Sequence, residues 1–178
     1  TPGTVLEDNC LESHDNNFLA AVYASGGDAG LAYVDVSTGE FFYSELALES
    51  LGDELERLHP AETLAPEGQL ADDRPLAEAL RHRAVGILTP MDGYRFDSGE
   101  ASRQLQTQLD VKALDGFGLH DGSPAIAAAG AVVAYLRETQ KNEFAHIRTF
   151  RRVDRSEHLL LDRTTQRNLE LTHPLMEG

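Results

Sequence analysis

LAYVDVSTGEFFYSEL, Leu31 to Leu46, is the stretch that decides the fold. Aromatic and β-branched residues flank the short polar link Ser37-Thr38-Gly39, which reads as strand, tight turn and strand. Gly39 stands where such a turn needs a left-handed residue. Asp35 sits inside the first apolar run. It is either a carboxylate for a bound metal or the residue that ties the turn, because an aspartate just before a turn can accept hydrogen bonds from the turn amides.

Working outward, NNFLAAVYA (Asn16–Ala24) predicts a strand before this hairpin, joined to Ala29–Val36 by the turn former SGGD. With Glu40–Leu46 these make a three-stranded antiparallel meander. LALESLGDELERLHP then places Leu48, Leu51, Leu55 and Leu58 at helical spacing, and Pro60 stops the helix. AETLAP is a short strand. DDRPLAEALRHR predicts a helix with Asp72 or Asp73 as N-cap and Pro75 in its first turn. AVGILTP (Ala84–Pro90) reads as a buried strand, and DSGEASRQLQTQLD (Asp97–Asp110) as a polar helix. A meander followed by alternating strand and helix implies an α/β fold, a mixed sheet with flanking helices, similar to the ribonuclease H-like layout.

Beyond LDGFGLHDG the character changes. SPAIAAAGAVVAYLRETQ (Ser123–Gln140) predicts one long helix with Ser123 as N-cap and Pro124 as its first residue. HIRTFRRVD reads as extended, HLLLD as a short apolar run, and DRTTQRNLEL (Asp162–Leu171) as a helix capped by Asp162. The long helix, with Ile126, Val132, Val133, Tyr135 and Leu136, is expected to pack on elements of a further domain. A boundary is therefore expected near residue 120: an α/β domain over 1–119 and a helical segment of a second domain over 120–178.

The 178 residues suffice for a real core, with 41% hydrophobic content. No run approaches the ~18 apolar residues of a membrane span. The start, TPGTVLEDNC, has no signal-peptide pattern and looks cut from a longer chain. Cys10 is the only cysteine, so no internal disulfide forms, which fits a reducing compartment. The formal net charge is −15. Residues 1–136 carry 7 Lys and Arg against 23 Asp and Glu, a net −16, whereas residues 137–178 carry 8 against 7, a net +1. A surface this acidic repels nucleic acid over most of its area.

A two-metal nuclease needs several carboxylates converging from different elements. Asp35 is one candidate, with Glu40 and Glu62 as companions, but nothing in the sequence brings them together, and the hairpin role of Asp35 is preferred. The seven histidines are scattered, none paired at i, i+4, and no phosphate loop or nucleophile elbow occurs. Arg148, Arg151, Arg152 and Arg155 form the one basic cluster. It is read as a solvated edge pairing with nearby acids, with phosphate contact as the sharper alternative. From residue types alone, the chain is an acidic α/β domain plus a helical segment, with no catalytic constellation.

Several strings taken together, in order, resemble a known family. TPGT, NNFLAAVY, GLAYVDVSTGEF, AAGAVVAYLRETQ, HIRTF and LLLDRTTQRNLEL look like the middle of the MutS family of DNA mismatch-recognition proteins, and the likeness covers essentially the whole chain. The resemblance implies a ribonuclease H-like connector domain followed by the start of the core, or lever, domain. It implies a non-catalytic role: the connector joins mismatch recognition to the core, responds to the nucleotide state of the ATPase, and offers a surface to the partner MutL. On the positions of this sequence that surface falls on the helix Asp97–Asp110, with Arg103, Gln104, Gln106 and Gln108 facing the partner. The Phe-x-Glu mismatch-reading motif does not occur here; DGYRF (Asp92–Phe96) stands elsewhere, after the strand Ala84–Pro90. Mismatched DNA, ATP with Mg²⁺, the other domains and a second MutS subunit would then concern the full-length protein, and this segment holds no cofactor or metal. A cytoplasmic location, nucleoid-associated through the parent protein, is implied likewise. The alternative is a free-standing Mg²⁺-dependent nuclease of ribonuclease H type.

Overall fold

The computed structural model describes residues 17–83, 85–140, 147 and 149–154. Their centre is a six-stranded sheet in the order β5-β4-β1-β2-β3-β6. β1 (Phe18–Ser25), β2 (Asp28–Asp35) and β3 (Glu40–Ala47) form the expected antiparallel meander. β4 (Glu62–Pro66) pairs parallel to β1, β5 (Ile87–Met91) parallel to β4, and β6 (Thr149–Arg152) parallel to β3. Gly26 (φ 62°) and Gly39 (φ 78°) supply the left-handed backbone that the two hairpin turns require.

Strand alternation splits the apolar residues between two faces. Ala20, Val22, Leu31 and Tyr33 meet α1 (Leu48–Leu58) and α2 (Pro75–Leu80) on one side. Leu19, Ala21, Ala32, Val34, Phe41, Tyr43 and Leu64 meet α3 (Ser98–Leu109) and α4 (Pro124–Thr139) on the other. The result is a three-layer α/β/α unit. In α1 the residues Leu48, Leu51 and Leu55 are buried, as the leucine spacing predicted, and His59 ends the helix in the left-handed conformation (φ 48°). Burial of the Tyr33 phenol pushes its pKa well above the ordinary tyrosine range.

The end of β1 outruns its partner β4, whose pairing stops at Ala21↔Leu64. Gln69 takes over: its amide accepts from Ala24 N–H and donates to Ala24 C=O, both at 2.9 Å, imitating one more rung of the ladder.

Three sequence expectations need correction. The N-cap of α2 is Arg74, not Asp72 or Asp73, and it makes no side-chain cap bond; Pro75 takes the first position as expected. The strand predicted as buried is the sheet edge β5, with Ile87 69% and Leu88 39% exposed. Ile87 N–H donates to Ala61 C=O, so by the alternation of a parallel ladder Ile87, Thr89 and Met91 face β4 while Leu88 and Pro90 face outward. Pro90 thus puts its missing N–H on the open side, where edge strands tolerate proline. Ser123 is the N-cap of α4 and Pro124 its first residue, as expected, and the Ser123 hydroxyl bonds the Glu45 carboxylate on β3 rather than a helix amide.

The third concerns the boundary at 119/120. Helix α4 is buried on nearly every side from Ala125 to Val133, and Phe150 of β6 packs with Phe41, Tyr43 and Phe117. Residues on both sides of 120 therefore share one sheet and one core. The expected packing of α4 on elements of another domain does not hold, because the sheet and α3 already cover it. The expected elements HLLLD and Asp162–Leu171 lie outside the described residues.

Candidate docking surface

Helix α3 starts cleanly: the Asp97 carboxylate accepts from Glu100 N–H at 2.9 Å. Asp110 ends it in the left-handed conformation (φ 54°) and donates its N–H to Gln106 and Thr107 carbonyls. Ala101 and Leu105, one helical turn apart, are buried and hold α3 against α4. The two helices approach closely where Gly130 meets Ala101; a Cβ on Gly130 would lie 2.3 Å from the Ala101 Cβ.

The four candidate residues do not share one role. Arg103 is fully outward, 73% exposed, and pairs at 2.8 Å with Glu100, itself exposed. Screening by water leaves such a pair little to contribute to stability, so both groups are available to a partner. Gln104 is half-buried. Its Nε2 donates to Glu100 Oε1 at 3.2 Å, and its Oε1 is buried with no hydrogen-bond partner among the described residues. Gln108 also turns inward, its Nε2 reaching the Ile147 carbonyl at 3.4 Å. Gln106 is half-buried. Thr107, which was not among the expected residues, is exposed one turn beyond Arg103 and bonds the Arg103 carbonyl at 2.9 Å. The outward strip is therefore Glu100, Arg103 and Thr107.

The carboxylates once considered for metal chemistry are separated. Asp35 shares its sheet face with Leu31 and Tyr33, whereas Glu62 shares the opposite face with Leu64. Asp35 is 5% exposed. Its Oδ1 accepts from Ser37 N–H at 2.9 Å, Thr38 N–H at 3.3 Å and the Ser37 hydroxyl. Gly39 N–H adds a 2.8 Å bond to the Asp35 carbonyl. Glu40 accepts from the Thr38 hydroxyl at 3.4 Å. Glu62 accepts from the hydroxyls of Thr89 at 2.6 Å and Tyr135 at 2.8 Å, and burial together with Glu62 raises the Tyr135 pKa. Among the described residues no group of three or more His, Cys, Asp or Glu could hold a metal ion. Asp35 is thus the turn residue. Its replacement by alanine should destabilise the fold by about 1–2 kcal/mol, the cost of losing the hydrogen bonds that the carboxylate accepts from the turn, readable as a lower urea midpoint.

Of the basic cluster, Arg151 lies 5.7 Å from the centre of the Phe42 ring and Arg152 pairs with Asp154 at 3.1 Å; Arg148 and Arg155 lie outside the described residues. No described helix is long and apolar enough to cross a membrane.

The family model for MutS domain II matches residues 17–148, spanning β1 to β5, all four helices and residue 120. The DNA mismatch repair protein MutS of Protochlamydia amoebophila is 40% identical over the whole of this chain, which spans 21% of that protein. Its namesake in Methanothrix thermoacetophila is 40% identical over the whole chain, spanning 19% of that protein. That of Solibacter usitatus is 39% identical over 98% of the chain and 20% of that protein. The chain spans about a fifth of the length of the relatives it matches. With domain II matched across residues 17–148 and relatives about 40% identical along its full length, the chain belongs to the MutS family of DNA mismatch repair proteins.

Proposed function

We propose that this chain is the connector segment of a longer mismatch repair protein: a non-catalytic unit that joins mismatch reading to the core and ATPase and docks MutL through the outer strip of α3. The observation that carries it is the one-sided anchoring of α3. Ala101 and Leu105 fix the helix from within, while Glu100, Arg103 and Thr107 stand in water with no structural duty that a partner would disturb. A polar surface of this kind suits an interface that forms and releases, since permanent interfaces are larger and more apolar. The strand order β3-β2-β1-β4-β5, three antiparallel and then two parallel, supports a ribonuclease H-like assignment for the sheet. The core shared by described residues from Leu19 to Phe150 supports a start for the core domain beyond Asp154 rather than at 120. Mismatched DNA, ATP with Mg²⁺ and a second MutS subunit would engage other parts of the full-length protein, acting in the bacterial cytoplasm at the nucleoid.

Charge reversal at Arg103 tests the docking surface. Arg103→Glu should weaken MutL binding by about 1–3 kcal/mol, the range of a single interface anchor. The same variant should leave the melting temperature unchanged, because the Arg103–Glu100 pair is exposed. Unchanged MutL affinity in a fully folded variant would remove α3 from the interface. The competing nuclease assignment has its own test: no cleavage of duplex DNA or RNA–DNA hybrid is expected with Mg²⁺ or Mn²⁺. Cleavage that disappears in Asp35→Asn would reinstate it.

A further inference from the structure

We propose that the outer edge of β6 is a strand-addition site for an extended acidic peptide, a surface independent of α3. Val153 N–H donates to the Tyr43 carbonyl at 2.9 Å, which fixes the phase of the β3–β6 ladder. By the alternation of a parallel pair, Thr149 and Arg151 direct their backbone groups to β3, while Phe150 and Arg152 direct theirs away from it. The backbone N–H and C=O of Phe150 and Arg152 have no partner among the described residues. An edge of this kind is a template for another strand.

The edge is rigid and charged. Phe150 is wedged among Phe41, Tyr43 and Phe117, with ring centroids 4.2 to 5.7 Å apart, and Val153 is buried behind it. Arg151 and Arg152 stand exposed on opposite sides of the strand. Arg152 shares its charge with Asp154, but Arg151 rests on the Phe42 ring and meets no carboxylate among the described residues. Residues 1–136 carry a net −16, so this edge is where an anionic ligand meets least repulsion.

Three occupants compete for such a site. A second copy pairing antiparallel through β6 with Phe150 opposite Arg152, the register that uses both edge residues, would set Arg151 against Arg151, and like charges directly opposite are destabilising. Nucleic acid would meet the arginines, but phosphates offer no donor to the Phe150 and Arg152 carbonyls, and the acidic body of the unit repels the rest of the duplex. An extended acidic peptide satisfies both the donors and acceptors of the edge and its positive side chains.

The probe is a fluorescein-labelled octapeptide alternating valine with glutamate, titrated into the 178-residue chain at low ionic strength and read by anisotropy. Saturable binding is expected, with no binding of the lysine-for-glutamate version. N-methylation of the peptide amides that face the edge, and separately Arg151→Glu, should each weaken binding about tenfold, as loss of roughly one net hydrogen bond or charge contact would. Arg151→Gln gives a second, milder variant, and circular dichroism checks whether both melt like the parent. Binding indifferent to N-methylation, or to the charge at Arg151 in folded variants, overturns the proposal. So does displacement of the peptide by an oligonucleotide, or a concentration-dependent dimer that the peptide dissociates, which would give the edge to nucleic acid or to a second copy.

Discussion

Gly30→Ala should lower the melting temperature by about 9 °C, corresponding to about 3 kcal/mol in a chain of this size. Gly30 lies in the middle of β2, a central strand, where glycine ordinarily weakens a sheet. Its reason is on the helix above. A Cβ at this position would fall 2.1 Å from the carbonyl carbon and oxygen of Pro124 and 2.4 Å from the nitrogen of Ala125. These are backbone atoms at the first turn of α4, so no rotamer change relieves the clash; the whole helix start must lift off the sheet. Lifting it costs dispersion along Ala125, Ile126 and Ala129, all at most 1% exposed. It also pulls Ser123 away from the Glu45 carboxylate on β3. The backbone of Gly30 is extended rather than left-handed, so alanine carries no conformational penalty and the effect isolates the close approach. Calorimetry of the single variant decides it. A melting point within about 1 °C of the parent, below the roughly 2–4 °C expected for a one-kcal/mol change, would show that α4 does not sit this close to β2.

How much of this was legible in the sequence depends on the pattern each segment carries. The meander was, because Phe18–Ser25, Asp28–Asp35 and Glu40–Ala47 alternate about turns whose glycines are forced. Helix α1 was, because four leucines mark one face. Strand β5 was misplaced in depth: ILTPM is as apolar as a central strand, and only Pro90 signals an edge, through the backbone donor it lacks. Helix α4 was recognised as a helix, but its covering was assigned to a further domain. An apolar residue run around the whole helix says that it is buried, not by what. The small residues were the signal for that, since Gly30, Ala101 and Gly130 are the positions where sheet and helices close on one another.

The outward face of α3 was half legible. Gln104 and Gln108 were grouped with Arg103 because they are polar. Yet 101, 104, 105 and 108 follow the i, i+3, i+4, i+7 spacing of a single helix face, which places both glutamines beside the buried Ala101 and Leu105. Spacing, not polarity, gives the outward strip as 100, 103 and 107. The hydrogen bonds of Asp35 were legible from its place before the turn, whereas the separation of Asp35 from Glu62 required the register. Phe18 pairs with Asp35 and Leu19 with Glu62, so the two carboxylates come to the same end of the sheet but on opposite faces.

Gly130→Val should destabilise the chain by about 3 kcal/mol and displace α3 from its seat. At the crossing of α3 and α4, a Cβ on Gly130 would lie 2.3 Å from the Ala101 Cβ and 2.8 Å from the Ala101 Cα. Ordinary carbon contacts lie near 3.5–4 Å, so α3 must retreat by about 1 Å or more, opening the seam that Leu105 fills. Gly130→Ala is the informative companion. Alanine in a helix interior gains about 1 kcal/mol over glycine, so the clash and the propensity oppose each other and the net loss should be about 1 kcal/mol. Adding Ala101→Gly to Gly130→Ala removes the nearer of the two atoms met by the new methyl group. The double variant should therefore recover more than the two single effects sum to, with a coupling of about 1–2 kcal/mol between these touching sites. Because α3 is held largely through α4, the proposed docking role predicts that Gly130→Val also weakens MutL binding although Arg103 and Glu100 are not substituted, and that the Ala101→Gly partner restores affinity in the Gly130→Ala background. If Gly130→Ala stabilises the protein and the two sites are additive, the helices are farther apart than described here, and α3 is free to move without α4.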